Sequence, residues 1–294
     1  ANTVCKDELI LDILKQLRDS SQGALDTHQL EMLINAHNSG IDSSTHSTER
    51  EKLIPKRAIL PYFLQVKQNN DELWQSWNVT PELEERFIRS VRMKPRRPAS
   101  GVTPLTVITR PHTCSSNCIY CPCDLRMPKS YLANEPACQR AELTFFDPYV
   151  QVAARLQALH QMGHSTDKVE LIVLGGTWSD YPESYQYWFI KELFRALNEW
   201  PSSPNHIQER LNWYTSFGLQ NSEDALSSFV AEQQAAVFED TATYNQAFHK
   251  LYDTSQPHQS AWSQMQSTYD ELVEQQHINE TAAARVVGLV IETR

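Results

Sequence analysis

The sequence lacks any apolar run near the roughly 20 residues that a membrane-spanning helix needs. Its start, ANTVCKDELILDILKQLRDS, is charged throughout and has no secretory-signal layout. No internal repeat is visible. A soluble, cytoplasmic protein without a membrane partner is therefore expected. The apolar content, 40% over 294 residues, suffices for a sizeable core in one large domain or two. Missing too is the even spread of cysteines that marks a secreted disulfide framework. The six cysteines are Cys5, Cys114, Cys118, Cys121, Cys123 and Cys138, and four of them fall within residues 114–123. In a chain of this size such a cluster points to metal binding or redox work.

Basic residues are scarce in one region only. Residues 201–280 hold eleven acids against two bases, Arg210 and Lys250, which accounts for most of the net charge of −10. Residues 86–97, RFIRSVRMKPRR, carry six bases and no acid: Arg86, Arg89, Arg92, Lys94, Arg96 and Arg97. The local patch, not the whole-chain charge, decides whether a polyanion can bind. These six are candidate nucleic-acid contacts, and an ordinary solvated helix face is the alternative.

Residues 1–97 read as a helical, partly basic domain. Leu9, Ile10, Ile13, Leu14 and Leu17 give one apolar helix face. Asp26 or Thr27 caps a second helix, a third runs near Arg57–Lys67 with Pro61 kinking or starting it, and Thr80-Pro81 opens a fourth. That helix turns Leu83, Phe87, Ile88 and Val91 inward and Arg86, Arg89 and Arg92 outward. Residues 94–101 read as a linker. The pattern then changes to strand (Pro104–Arg110), helix (Asp147–Gly163), strand (Val169–Gly176), helix (Trp188–Trp200) and strand (Val286–Thr293). Near-continuous apolar strands alternating with helices predict βαβ units in a parallel sheet or barrel over residues 98–294. Residues 201–280 interrupt it as an acidic helical insertion. The chain stops just after a strand and has no initial Met, so a piece of a longer protein is expected.

The chemistry-bearing segment is RPHTCSSNCIYCPC, residues 110–123, directly after the first strand. Loops at the carboxyl ends of barrel strands carry active sites. Three thiolates in C-x3-C-x2-C, from Cys114, Cys118 and Cys121, can bind three irons of a [4Fe–4S] cubane and leave the fourth open to a small molecule. Zinc is the alternative, with Cys114, Cys118, Cys121 and Cys123, or His112 with three of them. Zinc motifs usually bring two separated pairs, and no second pair exists here.

C-x3-C-x2-C with an aromatic before the last Cys resembles the radical S-adenosylmethionine superfamily. That resemblance implies S-adenosylmethionine on the open iron, Tyr120 against its adenine, and Gly175, Gly176 and Thr177 as the glycine-rich contact to its methionine end. Four blocks narrow it further: KPRRPASGVTPLTVITRPHTC, SYLANEPACQRAELTFFDPYVQ, LHQMGHSTDKVELIVLGGTW and NETAAARVVGLVIETR. They resemble, in order, blocks of the Elongator complex protein 3 family. The resemblance implies a (β/α)6 TIM-like radical barrel, incomplete here after its third strand. It also implies carboxymethylation of the tRNA wobble uridine at C5 with acetyl-CoA. In that reaction a 5′-deoxyadenosyl radical takes hydrogen from the acetyl methyl, the carbon radical adds to C5 of the flipped-out base, and the thioester is hydrolysed.

Carried over residue by residue, Cys114, Cys118 and Cys121 match the cluster ligands, and Lys168 matches an acetyl-CoA contact. Ser130, Tyr131, Glu135, Pro136 and Arg140 match a block beside the cluster, while Glu292 and Arg294 end the third strand at the same pocket. tRNA is the expected partner, in a homo-oligomer or an Elongator-like assembly. The family joins an acetyltransferase-like domain to the radical domain, and these residues contain none. Two other readings remain, a radical enzyme of this scaffold with another substrate and a zinc-binding RNA-binding module without catalysis.

Overall fold

The computed structural model describes residues 2–20, 23–39, 53–93, 100–116 and 118–293. Two compact units emerge, one of residues 1–100 with 158–165 and one of residues 101–157 with 166–294.

The first unit is helical, with α1 (Asn2–Asp19), α2 (Thr27–Asn38), α3 (Lys56–Asn69), α4 (Asp71–Ser76) and α5 (Pro81–Val91). Side-chain caps fix three of its helix starts. Asp26 and Gln29 form a reciprocal capping box on α2, Asn70 caps α4, and Thr80 accepts from Leu83 N ahead of Pro81 on α5. Pro61 lies inside α3, and the helix runs through it instead of starting there. The predicted apolar stripe of α1 is buried against Phe63, Trp77 and Phe87, with the Phe63 and Phe87 rings stacked at 4.0 Å. Arg86 turns back into the unit. Its guanidinium donates to Leu17 O at 2.6 Å and Ser20 O at 2.8 Å, covering carbonyls at the end of α1 that a helix cannot satisfy itself.

The second unit is mixed α/β. Among the described residues it has one parallel sheet in the order β1 (Thr103–Ile108), β2 (Lys168–Leu174), β3 (Arg285–Ile291). β1 pairs with β2 from Thr103↔Val169 to Ile108↔Leu174. β2 pairs with β3 from Lys168↔Arg285, with a bulge that skips Val287 beside Val169 and Glu170. The helices α6 (Pro136–Leu143) and α7 (Pro148–Gln161) follow β1, and α8 (Glu183–Asn198) follows β2. Gln151 of α7 holds both backbone groups of Ile108, so the helix is tied to the end of the strand from which the cysteine loop departs.

The acidic segment is helical, as its spacing predicts: α9 (Pro204–Ser216), α10 (Glu223–Phe238), α11 (Tyr244–Phe248) running into a π turn at His249–Asp253, α12 (Gln256–Trp262) and α13 (Tyr269–Asn279). Tyr214, Ala261, Met265 and Leu272 join the core under the sheet. A second apolar cluster gathers Val230, Tyr244, Phe248, Leu251 and Tyr252 around Leu125 of the cysteine loop. β3, expected as a buried strand, has Val287, Leu289 and Val290 exposed.

Candidate active site

The cysteine loop leaves the carboxyl end of β1 and is anchored from the end of β2. Thr109 Oγ1 and the Arg110 carbonyl both bond to the Tyr181 hydroxyl, at 2.8 and 2.7 Å. Asp180 holds the loop twice, its carboxylate accepting from Ser115 N at 2.7 Å and its carbonyl meeting His112 Nε2 at 2.9 Å. Burial, with the Arg110 charge adding to it, pushes His112 down to about 4, so the ring that stacks on Tyr181 is neutral at ordinary pH. Arg110 is itself buried between the Tyr185 and Trp262 rings, 4.7 and 4.1 Å from their centroids.

Cys114, Cys118 and Cys121, none of them in a disulfide, line one cavity of about 100 Å³ together with Lys129, Ser130, Gly175, Gly176, Thr177 and Glu292. The Thr177 hydroxyl lies 3.3 Å from Cys114 Sγ and the Ser130 hydroxyl 2.8 Å from Cys121 Sγ. Ser130 reaches it from a left-handed backbone (φ 86°), a conformation rarely adopted by a residue with a Cβ. A Cβ on Gly175 would come 2.0 Å from Thr109 Oγ1, so the close approach of β2 to the loop requires glycine there. Glu292, just past β3, accepts from the Tyr131 hydroxyl. Burial first, and then that carboxylate, raise the tyrosine well above its usual range.

Of the residues singled out from sequence, the cavity gathers Cys114, Cys118, Cys121, Gly175, Gly176, Thr177, Ser130 and Glu292. Tyr120, on the turn between two of the cysteines, is 85% exposed. Lys168 is exposed and opens β2, so it stands at the opposite end of the strand, roughly 20 Å from Gly175 at about 3.3 Å per residue. Cys123 points its thiol at the Cys121 carbonyl, 3.5 Å away, and burial raises it. Cys138 is buried in a separate apolar cluster and is raised to about 12, chiefly by that burial. In the first unit Arg89 is exposed and paired with Glu85, whereas Arg92 is half-buried. Lys94, Arg96, Arg97 and Arg294 lie outside the described residues.

Two residues escaped the sequence reading. Lys129 is buried in the cavity wall with its ammonium 3.0 Å from Ser116 O, and Asn245 of α11 bonds to both backbone groups of Cys114. A lone lysine or asparagine has no spacing signal that could have found it. Among the described residues, no three His, Cys, Asp or Glu side chains converge as one metal ion would need.

No family model matches the chain. Curated relatives do. It is 49% identical over 102 residues to the tRNA uridine(34) acetyltransferase of Dehalococcoides mccartyi, covering 35% of this chain and 22% of that protein. The protein of the same name from Methanocaldococcus infernus is 40% identical over 139 residues, 45% of this chain and 26% of that one. Elongator complex protein 3 of Bos taurus is 32% identical over 217 residues, 67% of this chain and 38% of the relative. The matched stretch thus spans well under half the length of each of these relatives. Over that stretch the chain is similar to the tRNA uridine(34) acetyltransferases and to Elongator complex protein 3.

Proposed function

We propose that the chain carries the cluster-binding part of a radical S-adenosylmethionine enzyme acting on the wobble uridine of tRNA. Its sheet would be part of a (β/α)6 barrel, preceded by a helical RNA-binding region. The observation that carries this reading is that Cys114, Cys118 and Cys121 line one cavity with Gly175, Gly176 and Thr177. Both loops leave the carboxyl ends of adjacent parallel strands, where α/β sheets bind their ligands. A cubane takes its thiolates on different irons, so thiols set around a cavity suit it better than they suit a single ion.

When bound, the cluster and S-adenosylmethionine supply one-electron reductive chemistry. The chain's own part is to hold and orient. Cys114, Cys118 and Cys121 are the ligands. Thr177 and Ser130 supply hydroxyl donors to two of the sulfurs, and hydrogen bonds of that kind tune a cluster's potential. Lys129 supplies a cation to the same wall, and Tyr131 fixes the Glu292 carboxylate. The bare backbone at Gly175 and Gly176 allows a cofactor to approach closely. Tyr120, exposed beside the cysteines, is free to cover an adenine.

The likeness to relatives named for uridine 34 and acetyl transfer supports carboxymethylation at C5 with acetyl-CoA as carbon donor. Lys168 would then meet acetyl-CoA away from the cysteine cavity. Arg89, Arg92, Lys94, Arg96 and Arg97 are the proposed phosphate contacts. Arg86, whose guanidinium serves α1, is the weakest of the six.

Anaerobic reconstitution followed by iron, sulfide and electron paramagnetic resonance measurements tests the cluster. About four iron and four sulfide per chain are expected, with loss of the signal in Cys114→Ala, Cys118→Ala and Cys121→Ala. Zinc without acid-labile sulfide would sink the reading. Mass spectrometry of wobble nucleosides after gene deletion tests the substrate, and unchanged carboxymethylated uridines would point to another one.

A further inference from the structure

Residues 109–134 form a long connection without regular secondary structure where described, and it carries all the thiols of the site. Backbone groups in such a segment must find partners outside it. Beside turns within the loop and the Asp180 and Tyr181 contacts, one set of them comes from the acidic insertion. Gln234 of α10 accepts from Leu125 N and donates to Cys123 O, both at 2.8 Å. Tyr244 donates to Met127 O at 2.7 Å and Tyr252 to Leu125 O at 2.6 Å. Asn245 accepts from Cys114 N at 3.1 Å and donates to Cys114 O at 2.8 Å.

An amide that takes both backbone groups of one residue fixes the peptide planes on either side of it, and so fixes the direction of its Cα–Cβ bond. At Cys114 that direction aims the thiol into the cavity. The charge pattern agrees. The insertion is rich in carboxylates, yet the four side chains that grip the loop are all uncharged. A carboxylate in their place would repel the thiolates. Leu125, fully buried among Val230, Tyr244, Phe248 and Tyr252, pins the loop apolarly beside the same contacts.

We infer that the insertion is a clamp for the cysteine loop, and that Asn245 is the positioning residue that presents Cys114 to its metal group. This rests on the reading of Cys114 as a cluster ligand. Outer partners of this kind hold a ligand in the geometry that the metal needs, and their loss typically costs tenfold or more in affinity.

The test compares the whole chain with Asn245→Ala, Asn245→Asp and Tyr252→Phe, with Glu232→Ala on the exposed face of α10 as control. All are reconstituted without oxygen. Asn245→Ala is expected to give up iron to a chelator about tenfold faster than the parent, with a changed resonance line shape and midpoint potential. Asn245→Asp, which keeps the acceptor for Cys114 N but loses the donor and sets a carboxylate beside the thiolates, should lose iron at least as fast as Asn245→Ala, and Glu232→Ala should match the parent. Parent-like retention, line shape and potential in Asn245→Ala would overturn the inference. Should that variant fail to fold by circular dichroism, Asn245→Asp and Tyr252→Phe decide in the same way. A parent chain that takes up no iron and sulfide defeats the cluster reading instead. Amide hydrogen exchange of the metal-free chain then judges the clamp, since exchange at Cys114, whose N–H donates to Asn245, must rise in Asn245→Ala.

Discussion

Gly175 lies so near Thr109 that the methyl of alanine has no room, its Cβ falling 2.0 Å from the hydroxyl oxygen. Gly175→Ala is expected to destabilise the metal-free chain by about 1–3 kcal/mol, the usual cost of overpacking, read by denaturant unfolding. Thr109→Ala in the same chain should recover part of that loss, a coupling that a double-mutant cycle measures. His258 makes a second prediction. It sits against Phe229, Tyr252 and Trp262 with Ser255 on Nδ1, and burial, helped by the Arg110 charge, lowers it from 6.5 to about 4. The unfolded chain takes up this proton near pH 6.5 and the folded chain only near 4. The unfolded state therefore binds more protons between those values, and stability falls as pH drops through that window. His258→Asn should flatten part of the slope in a pH series of unfolding midpoints. His112, lowered to about the same value, accounts for another part.

At the scale of elements, the joint between α13, α8 and β3 turns on one side chain. Asn279 is buried, accepts from Val286 N at 2.8 Å, and donates to Ala284 O and Asn198 Oδ1 at 3.0 and 2.8 Å. Asn279→Ala removes the partners of the half-buried Val286 N–H and the buried Ala284 C=O at the start of β3, the buried group costing about 1–3 kcal/mol. The unfolding midpoint should drop, with amide exchange rising first in β3. In the first unit Gly163 ends the α7 region with φ 80°, and a Cβ there would lie 2.7 Å from Leu60 Cδ2. Gly163→Ala is expected to cost on the order of 1–3 kcal/mol from the backbone alone, again by denaturant unfolding. The existence of these elements was legible from period and punctuation. Leu9 to Leu17 repeats at helical spacing, Thr80-Pro81 is a start signal, and VELIVLGG is a buried run ended by glycine. The exposure of β3 was not legible, because an apolar run reports what a strand could bury and not what covers it.

For the whole molecule, charge is divided between a basic stretch at 86–97 and an acidic one at 201–280. Affinity for tRNA through Arg89, Arg92, Lys94, Arg96 and Arg97 would fall steeply with salt, since each neutralised phosphate releases counterions. Changing Arg89, Lys94, Arg96 and Arg97 together to glutamine should weaken binding and flatten the plot of log affinity against log salt by close to one unit per contact removed. Filter binding over a salt series measures it, and an unchanged slope would remove this stretch from the RNA surface. Arg86 is left out of the set because its guanidinium already serves the carbonyls of Leu17 and Ser20.

The sequence by itself determined which chemistry was on offer. The spacing of Cys114, Cys118 and Cys121 is local information, written in consecutive residues, and so is the strand-ending Gly175-Gly176-Thr177. What only the tertiary structure decided is which distant residues complete that site. Asn245 reaches Cys114 across 131 positions and Gln234 reaches Cys123 across 111, and no periodicity in either segment encodes the meeting. Lys129 and Ser130 sit near the cysteines in the chain, yet their place in the cavity wall depends on a backbone bend at Ser130 that side-chain identity does not announce. Hydrogen bonds between remote segments are set by how the elements pack, and packing is a property of the folded whole.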